Sequence, residues 1–326
     1  MPEYPIKEMA ALNDEPPLNW IIPGWIPSRE LSCFWGDPGV FKSFIGQGLS
    51  LQLAAQNKLK VVYVAAEGAS GLSARVHAWN ALNFGDPYRE DPNWYYMPSN
   101  VNYESQDNRR DFVNSIYTTL NGPEPDLIVL DTLARNFFGD ENSAKEMGQF
   151  IEGVEETRRD CGCAVWIIHH ANVSQENRRE RGSAALRAAM FAMFHISDPR
   201  QTKSGMSVQF ECDRMKDGEI PKPMRVDLHK VDLESDQEGD VFRHSLALPH
   251  FPTRARSLGS IPGIDEKTVE RFARWCSDGS TVEEIDGRLN WKISAEPKLK
   301  LMVRHGLLSL SNDVYQTTKK GEAAVG

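Results

Sequence analysis

The chain has 326 residues, enough for two domains at the usual domain size, and the expectation is an intact protein with one large and one small domain. Hydrophobic residues at 40% and charged residues at 25%, with 24 Gly and 19 Pro, exclude a disordered or fibrous chain and allow a substantial core. A formal charge of −9 argues against a protein coated in nucleic acid, so any phosphate binding must come from local basic segments.

In chain order, residues 1–27 read as an arm, because Pro16, Pro17, Pro23 and Pro27 block a long helix. Its start, MPEYPIKEM, lacks the basic flank and apolar run of a secretory signal, and no segment nears the ~18 apolar residues of a membrane span. The cytoplasm is therefore the expected location, with no membrane role. From Leu31 strands alternate with helices: LSCFWG, a helix from Lys42, the strand KVVYVAAE and a helix over about 72–82. The strand PDLIVLD comes next. A helix then opens at Ser143, with Glu146 three residues on in a capping-box pattern and Met147, Phe150, Ile151 and Val154 on one apolar stripe. CAVWIIHH is an unbroken apolar run of the kind that helices cover on both faces. MFAMFHIS, SVQFEC, MRVDLHKVDL and VFRHSLAL follow without long helices between them, so the sheet should end as an antiparallel meander. Residues 28–248 thus read as an α/β domain, a mainly parallel sheet with helices on both faces.

Residues 249–262, which contain HFPTRARSLGS, lose periodicity and gather Pro, Gly and Ser as a linker. In 263–326, Val269, Phe272, Ala273 and Cys276 share one helical face, and Val282, Ile285 and Leu289 mark a second short helix. A third should end near Arg304, and LSLSNDVYQTTKKG reads as two strands around an Asn-Asp turn, completing a winged-helix pattern. The five cysteines are an odd number and only Cys161 and Cys163 lie close together, which supports neither a disulfide framework nor a zinc site.

The strongest chemical signal is Gly36-Asp37-Pro38-Gly39-Val40-Phe41-Lys42-Ser43, between a strand and a helix that continues with Phe44. In the P-loop pattern G-x-x-x-x-G-K-[ST], glycines let successive N–H groups curl around phosphates, the Lys reaches the outer phosphates and the hydroxyl serves Mg2+. Phe41 stands where the second Gly belongs. Asp131, at the end of PDLIVLD, suits a magnesium water shell and equally a helix cap. Glu67, at the end of KVVYVAAE, would reach the same sheet edge and could orient a water, or it is a solvated loop residue. His169 and His170 close the next strand. One of them could touch a γ-phosphate, and a satisfied buried His is the alternative.

FWGDPGVFKSFIGQGLSLQLA, VVYVAAEGASGLSARVHAW, DLIVLDTLARNFFGDENSAKEM and WIIHHAN with RERGSAAL, in that order, resemble the RepA-type hexameric helicases of the RecA/DnaB-like P-loop ATPases. The resemblance covers about residues 22–248 and implies a RecA-like core that takes ATP and Mg2+ on Gly36–Phe44. It gives Lys42 and Ser43 the P-loop roles, makes Glu67 the catalytic base and places Mg2+ on Ser43 and Asp131; of the two histidines, His170 is taken as the catalytic candidate. Phe41 looks like a variant found within this group. The resemblance also implies a homo-oligomeric, hexameric ring in which a neighbour's cation completes each site, and Arg214 and Lys216 stand where a Lys and Arg pair is carried, here in reversed order. Ordinary surface charge is the competing reading. It further implies that the loops after Asp131 and His170 touch single-stranded DNA, through Arg135, Asn136 and Phe137 and through Arg178, Arg179 and Arg181.

In 263–326 ten basic and ten acidic residues cancel, while the third helix carries Arg288, Lys292, Lys298, Lys300 and Arg304 against Glu296 alone. Lys298 and Lys300 are its candidate DNA contacts, with Lys319 and Lys320 near the backbone; docking to other replication proteins is the alternative. The reading is an ATP-hydrolysing, ring-forming DNA motor, a replicative helicase of 5'-3' or unspecified polarity. Its competitors are a non-unwinding ATP-dependent DNA-binding protein, such as a recombination mediator or helicase loader, and a KaiC-like regulatory ATPase.

Overall fold

Trp20–Ile22 (β1) and Ile26–Pro27 (β2) pair as a small antiparallel hairpin whose Ile22 and Ile26 are buried. The hairpin seats Trp25 against Phe210 at 5.4 Å, beside the stacked Phe194 and Phe210 rings and Phe251. The later part of the stretch read as an arm is therefore core, because its prolines restrict helix formation without preventing a hairpin. The computed structural model describes residues 8–9, 18–122, 124–171, 184–233, 243–251, 272, 275–277, 279–289, 299–300, 302–303, 308–311 and 313–318. The chain divides into a large compact unit, Leu18–Thr253, and a small one that includes Arg254–Gly326.

In the large unit the chain runs Leu31–Gly36 (β3), Lys42–Asn57 (α1), Val61–Ala65 (β4), Leu72–Phe84 (α2), Trp94–Met97 (β5), Gln106–Thr119 (α3), Leu127–Asp131 (β6) and Leu133–Asn136 (α4). It continues through Ala144–Cys161 (α5), Ala164–His170 (β7), Ala184–Ala189 (α6), Ala192–Gln201 (β8), Gly205–Met215 (β9), Met224–Leu233 (β10) and Arg243–Ala247 (β11). These strands form one sheet in the order β11-β10-β9-β8-β3-β7-β6-β4-β5. From β8 to β5 neighbours run parallel, and β8 to β11 close the sheet as an antiparallel meander.

The unbroken apolar strands serve two cores, because successive residues point to opposite faces. Phe34, Tyr63, Val129, Trp166 and Ile168 face α1 and α2, packing with Ile45, Leu49 and Trp79. Cys33, Val64, Ile128, Leu130 and Ile167 face α3 and α5, packing with Phe112, Phe150 and Val154. This is the α/β architecture expected, a mainly parallel sheet with helices on both faces and antiparallel late strands.

The α5 N-terminus is capped as predicted on one side, with Ser143 Oγ accepting from Glu146 N at 3.3 Å. Glu146 Oε2 instead accepts from Asp140 N at 2.8 Å, so the return bond of the box goes to a neighbouring loop residue. Sequence periodicity does not announce α3: its 14 residues bury only Phe112 and Ile116.

In the small unit, Phe272, Cys276, Ile285, Leu299, Met302, Leu308 and Tyr315 form a separate core. Val282–Leu289 (α7) starts at a full capping box, with Glu284 N donating to Thr281 Oγ1 and Thr281 N donating to Glu284 Oε2. Leu308–Ser311 (β12) pairs antiparallel with Val314–Thr317 (β13) around positions 312–313. Val269, Ala273, Lys298, Arg304, Lys319 and Lys320 lie outside the described residues. Among the described residues, no helix is long and apolar enough to cross a membrane.

Candidate active site

The carboxyl ends of β3, β4, β6 and β7 converge on one edge, which is where open α/β sheets place their ligands. β3 ends at Gly36, where a Cβ would come within 2.1 Å of the Ile196 carbonyl oxygen, so only glycine fits. The loop then turns through Gly39 at φ +82° and Phe41 at φ +65°. Phe41 thus adopts the left-handed conformation a glycine takes freely, at a cost of about 1–2 kcal/mol for an L-residue. Its ring packs edge-on to Phe44 at 5.8 Å, and Phe44 lies under the Arg75 guanidinium at 5.4 Å. Packing therefore holds the bend that the missing glycine would give locally. Val40 is buried, so its side chain belongs to the core and only its backbone is available to the loop, while Asp37 and Pro38 are exposed.

Lys42, the first residue of α1, is only 5% exposed. Its Nζ donates to the carbonyls of Gly36 at 2.9 Å and Asp37 at 2.8 Å. Burial lowers the ammonium to about 8, against the opposing pull of Asp131, Asp37 and Glu67. Next to it, Ser43 Oγ donates to Asp131 Oδ1 at 2.9 Å, and the Tyr63 hydroxyl donates to Asp131 Oδ2 at 2.6 Å. Burial raises the Asp131 carboxyl, and the two donated hydrogen bonds work the other way. Burial also pushes the Tyr63 hydroxyl well up, which keeps it a donor.

Glu67 follows β4 by two residues. Its N–H donates to Asp131 O at 3.1 Å, and its Oε2 accepts from Thr132 Oγ1 at 2.9 Å. The Asp131–Thr132 peptide is cis. Arg75 Nη2 donates to Gly68 O at 2.9 Å, tying α2 to the turn that follows Glu67. A cleft of about 260 Å³ opens here, lined by Gly39, Lys42, Ser43, Phe44, Glu67, Arg75, Thr132 and His170. His169 is buried, so His170 is the histidine at the cleft. A buried cation beneath an open backbone loop suits a polyphosphate, and a hydroxyl beside a carboxylate offers the oxygen donors Mg2+ prefers. Tyr63, Thr132 and Arg75 escape sequence reading. The only hint of Tyr63 is a hydroxyl inside the otherwise aliphatic VVYVA, on the Glu67 side of the pleat.

The other candidate residues separate. Arg135 is exposed, but Asn136 is fully buried, donating to Thr132 O and accepting from Val101 N, both at 2.9 Å. Phe137 is buried against Phe150 at 5.5 Å. Neither side chain lies at the surface; Phe138, at 57% exposure, is the exposed aromatic of this segment. Arg214 lies within β9 rather than beyond it, because β9 pairs with β8 as far as Met215. Lys216 is exposed just after the strand. Arg178, Arg179, Arg181 and Lys298 are outside the described residues, and Lys300 is an exposed helical residue of the small unit.

A family model described as an AAA domain matches residues 5–176, just over half of the chain. The chain belongs to this AAA-domain family. The AAA-domain match encloses Gly36–Phe44, Glu67, Asp131 and His170 and ends before Arg214 and Lys216. The protein is thus an ATPase of the P-loop class. Among solved structures it is similar to one described as an ATPase domain, at 12% identity and a TM-score of 0.48, over 61% of this chain and 81% of that one.

Proposed function

We propose that this AAA-domain protein is a cytoplasmic, ring-forming ATPase, a hexamer that moves on single-stranded DNA as a replicative helicase of RepA type. The interlocked cluster of Lys42, Ser43, Tyr63, Asp131, Thr132 and Glu67 at one sheet edge carries this reading. Lys42 exchanges its loop carbonyls for the outer phosphates of ATP. Ser43 and Asp131 would hold Mg2+, which would supply charge neutralisation on the phosphates when bound. Glu67 takes the proton of the attacking water, and the Thr132 hydroxyl orients its carboxylate. His170 faces the γ-phosphate. The P-loop backbone from Gly36 to Phe44 cradles the remaining phosphates.

Arg135 and the exposed Phe138 follow β6 directly, supplying a cation and a stacking face to a single strand. Arg178, Arg179 and Arg181 add phosphate contacts from the next loop. Residues 263–326 act as a winged helix, with Lys298 and Lys300 toward DNA or toward another replication protein. Hydrolysis measured with and without single-stranded DNA, strand separation on a forked duplex, and particle mass test the reading together. DNA-stimulated turnover by a hexamer that opens forks is expected. Stimulation without opening would make the protein a mediator or loader, and hydrolysis indifferent to DNA would make it a regulatory ATPase.

A further inference from the structure

A second cavity opens further along α1, and it shares no lining residue with the nucleotide cleft. It holds about 540 Å³, a size that suits a small molecule. Leu51 of α1 with Leu72 and Val76 of α2 give it apolar surface. Trp94 and Tyr96, on one face of β5, give it aromatic surface, their rings 6.3 Å apart with planes at 23°. β5 is the edge of the sheet, and Tyr96 is 60% exposed.

This surface is fixed before any ligand arrives. Trp94 Nε1 donates to Ser50 Oγ at 3.0 Å, and Ser50 Oγ donates to Gln47 O at 2.7 Å, which ties the indole to α1. Asn80 is 3% exposed, and its Nδ2 donates to Arg89 O at 2.8 Å, holding the segment between α2 and β5. Asp91 Oδ1 accepts from Asn93 N at 3.0 Å in the same segment.

Charge decides the class of ligand. Arg89 lines the cavity but is already engaged, with Nη1 on Asp91 Oδ2 at 3.2 Å and the guanidinium 4.2 Å from the centre of the Phe84 ring. Arg89 and Asp91 cancel. Glu90 also lines the cavity, is exposed, and makes no hydrogen bond or ion pair among the described residues. A carboxylate beside two aromatic rings attracts positive charge, whereas a phosphate or a carboxylate would meet no free cation here.

We propose that this cavity is a second ligand site, for a small organic amine that brings its ammonium to Glu90 and the Trp94 and Tyr96 rings and its apolar body to Leu51, Leu72 and Val76, and that its occupancy is felt at Asp131. The route is two contacts long. The Trp94 ring packs on Tyr63 at 5.7 Å, and the Tyr63 hydroxyl donates to Asp131 Oδ2 at 2.6 Å. A ligand that holds Trp94 still thereby steadies the side chain that orients the carboxylate. This coupling rests on the metal role given to Asp131 above; the binding site does not.

The test titrates the full chain, free of nucleotide, with phenethylamine, with its neutral counterpart phenethyl alcohol and with phenylacetate, each followed by calorimetry. The amine should bind roughly tenfold more tightly than the alcohol, and phenylacetate more weakly than either. Glu90→Gln and Tyr96→Ala, both at exposed positions, should each weaken the amine roughly three- to tenfold, and Glu90→Gln should leave the alcohol unchanged. No binding by any of the three overturns the site. Equal affinity for amine and alcohol, or an amine indifferent to both substitutions, overturns the assignment of a cation. With the amine saturating, the Mg2+ concentration for half-maximal nucleotide binding should fall at least about twofold, and by less in Tyr63→Phe, where the route is cut. An unmoved midpoint with the amine bound overturns the coupling. Nucleotide binding that never depends on Mg2+ sinks the metal role of Asp131 instead, and the nucleotide-free titration then decides the site on its own.

Discussion

Asp131 and Asp198 belong to one sheet and are shifted in opposite directions. Asp131 ends the parallel strand β6 almost wholly buried, and desolvation raises it despite hydrogen bonds from Tyr63 and Ser43. Asp198 lies on β8, on the antiparallel side, exposed to water, and hydrogen bonds first from Arg200 and then from Arg225 lower it. At the parallel edge the buried Asp131 and Lys42 depend on specific side-chain and backbone partners, so each arrangement is specific and each loss is felt. On the antiparallel side solvent replaces whatever a side chain gives up. Perturbed groups gathered in a cleft are what a working site requires, and the parallel edge has them.

The contrast is sharpest at Lys42, where Lys42→Ala should abolish phosphate release and weaken nucleotide binding by removing the cation nearest the transferring group. Retained turnover would mean that the parallel edge is not where the chemistry happens. Glu67→Gln should lower turnover about 10²–10⁴-fold in the same assay while equilibrium ATP binding survives, separating a proton acceptor from a structural carboxylate. Tyr63→Phe removes one of two donors to a buried carboxylate, at about 1–3 kcal/mol of stability in a denaturant titration. It should also raise the Mg2+ concentration needed for half-maximal nucleotide binding, because the carboxylate loses its fixed orientation. In the pH dependence of binding, affinity should be highest where Lys42 is protonated and fall as pH rises through about 8, the value to which burial lowers it. Asp198→Asn should leave turnover unchanged and melting nearly so. A large effect there would erase the distinction between the two sides.

Much of this geometry is legible in the sequence where a single physical pattern decides it. The alternation of apolar strands with helices, the capping Ser143 and the antiparallel pairing of Leu308–Ser311 with Val314–Thr317 are local signals, and each reappears at its place. Glu67, Lys42, Ser43 and Asp131 could be placed on one edge because a parallel sheet brings all its carboxyl ends there. Orientation is harder to read. Phe137 and Phe138 are equivalent as letters, and only the path of the chain after α4 turns one inward and the other out. Tyr63 and Thr132 act through partners distant in sequence, which spacing does not reveal.

The left-handed Phe41 bears on how portable the phosphate loop is. A loop with glycine at that position carries its own shape and can be moved between scaffolds as a short cassette. Here the shape is enforced from outside, by Phe44 and the Arg75 guanidinium behind it, because phenylalanine on its own favours the opposite sign of φ. Residues 36–43 transplanted alone would relax open on a new host. The smallest transferable unit is a piece of tertiary structure, the loop together with the first turn of α1 and the face of α2 that bears Arg75.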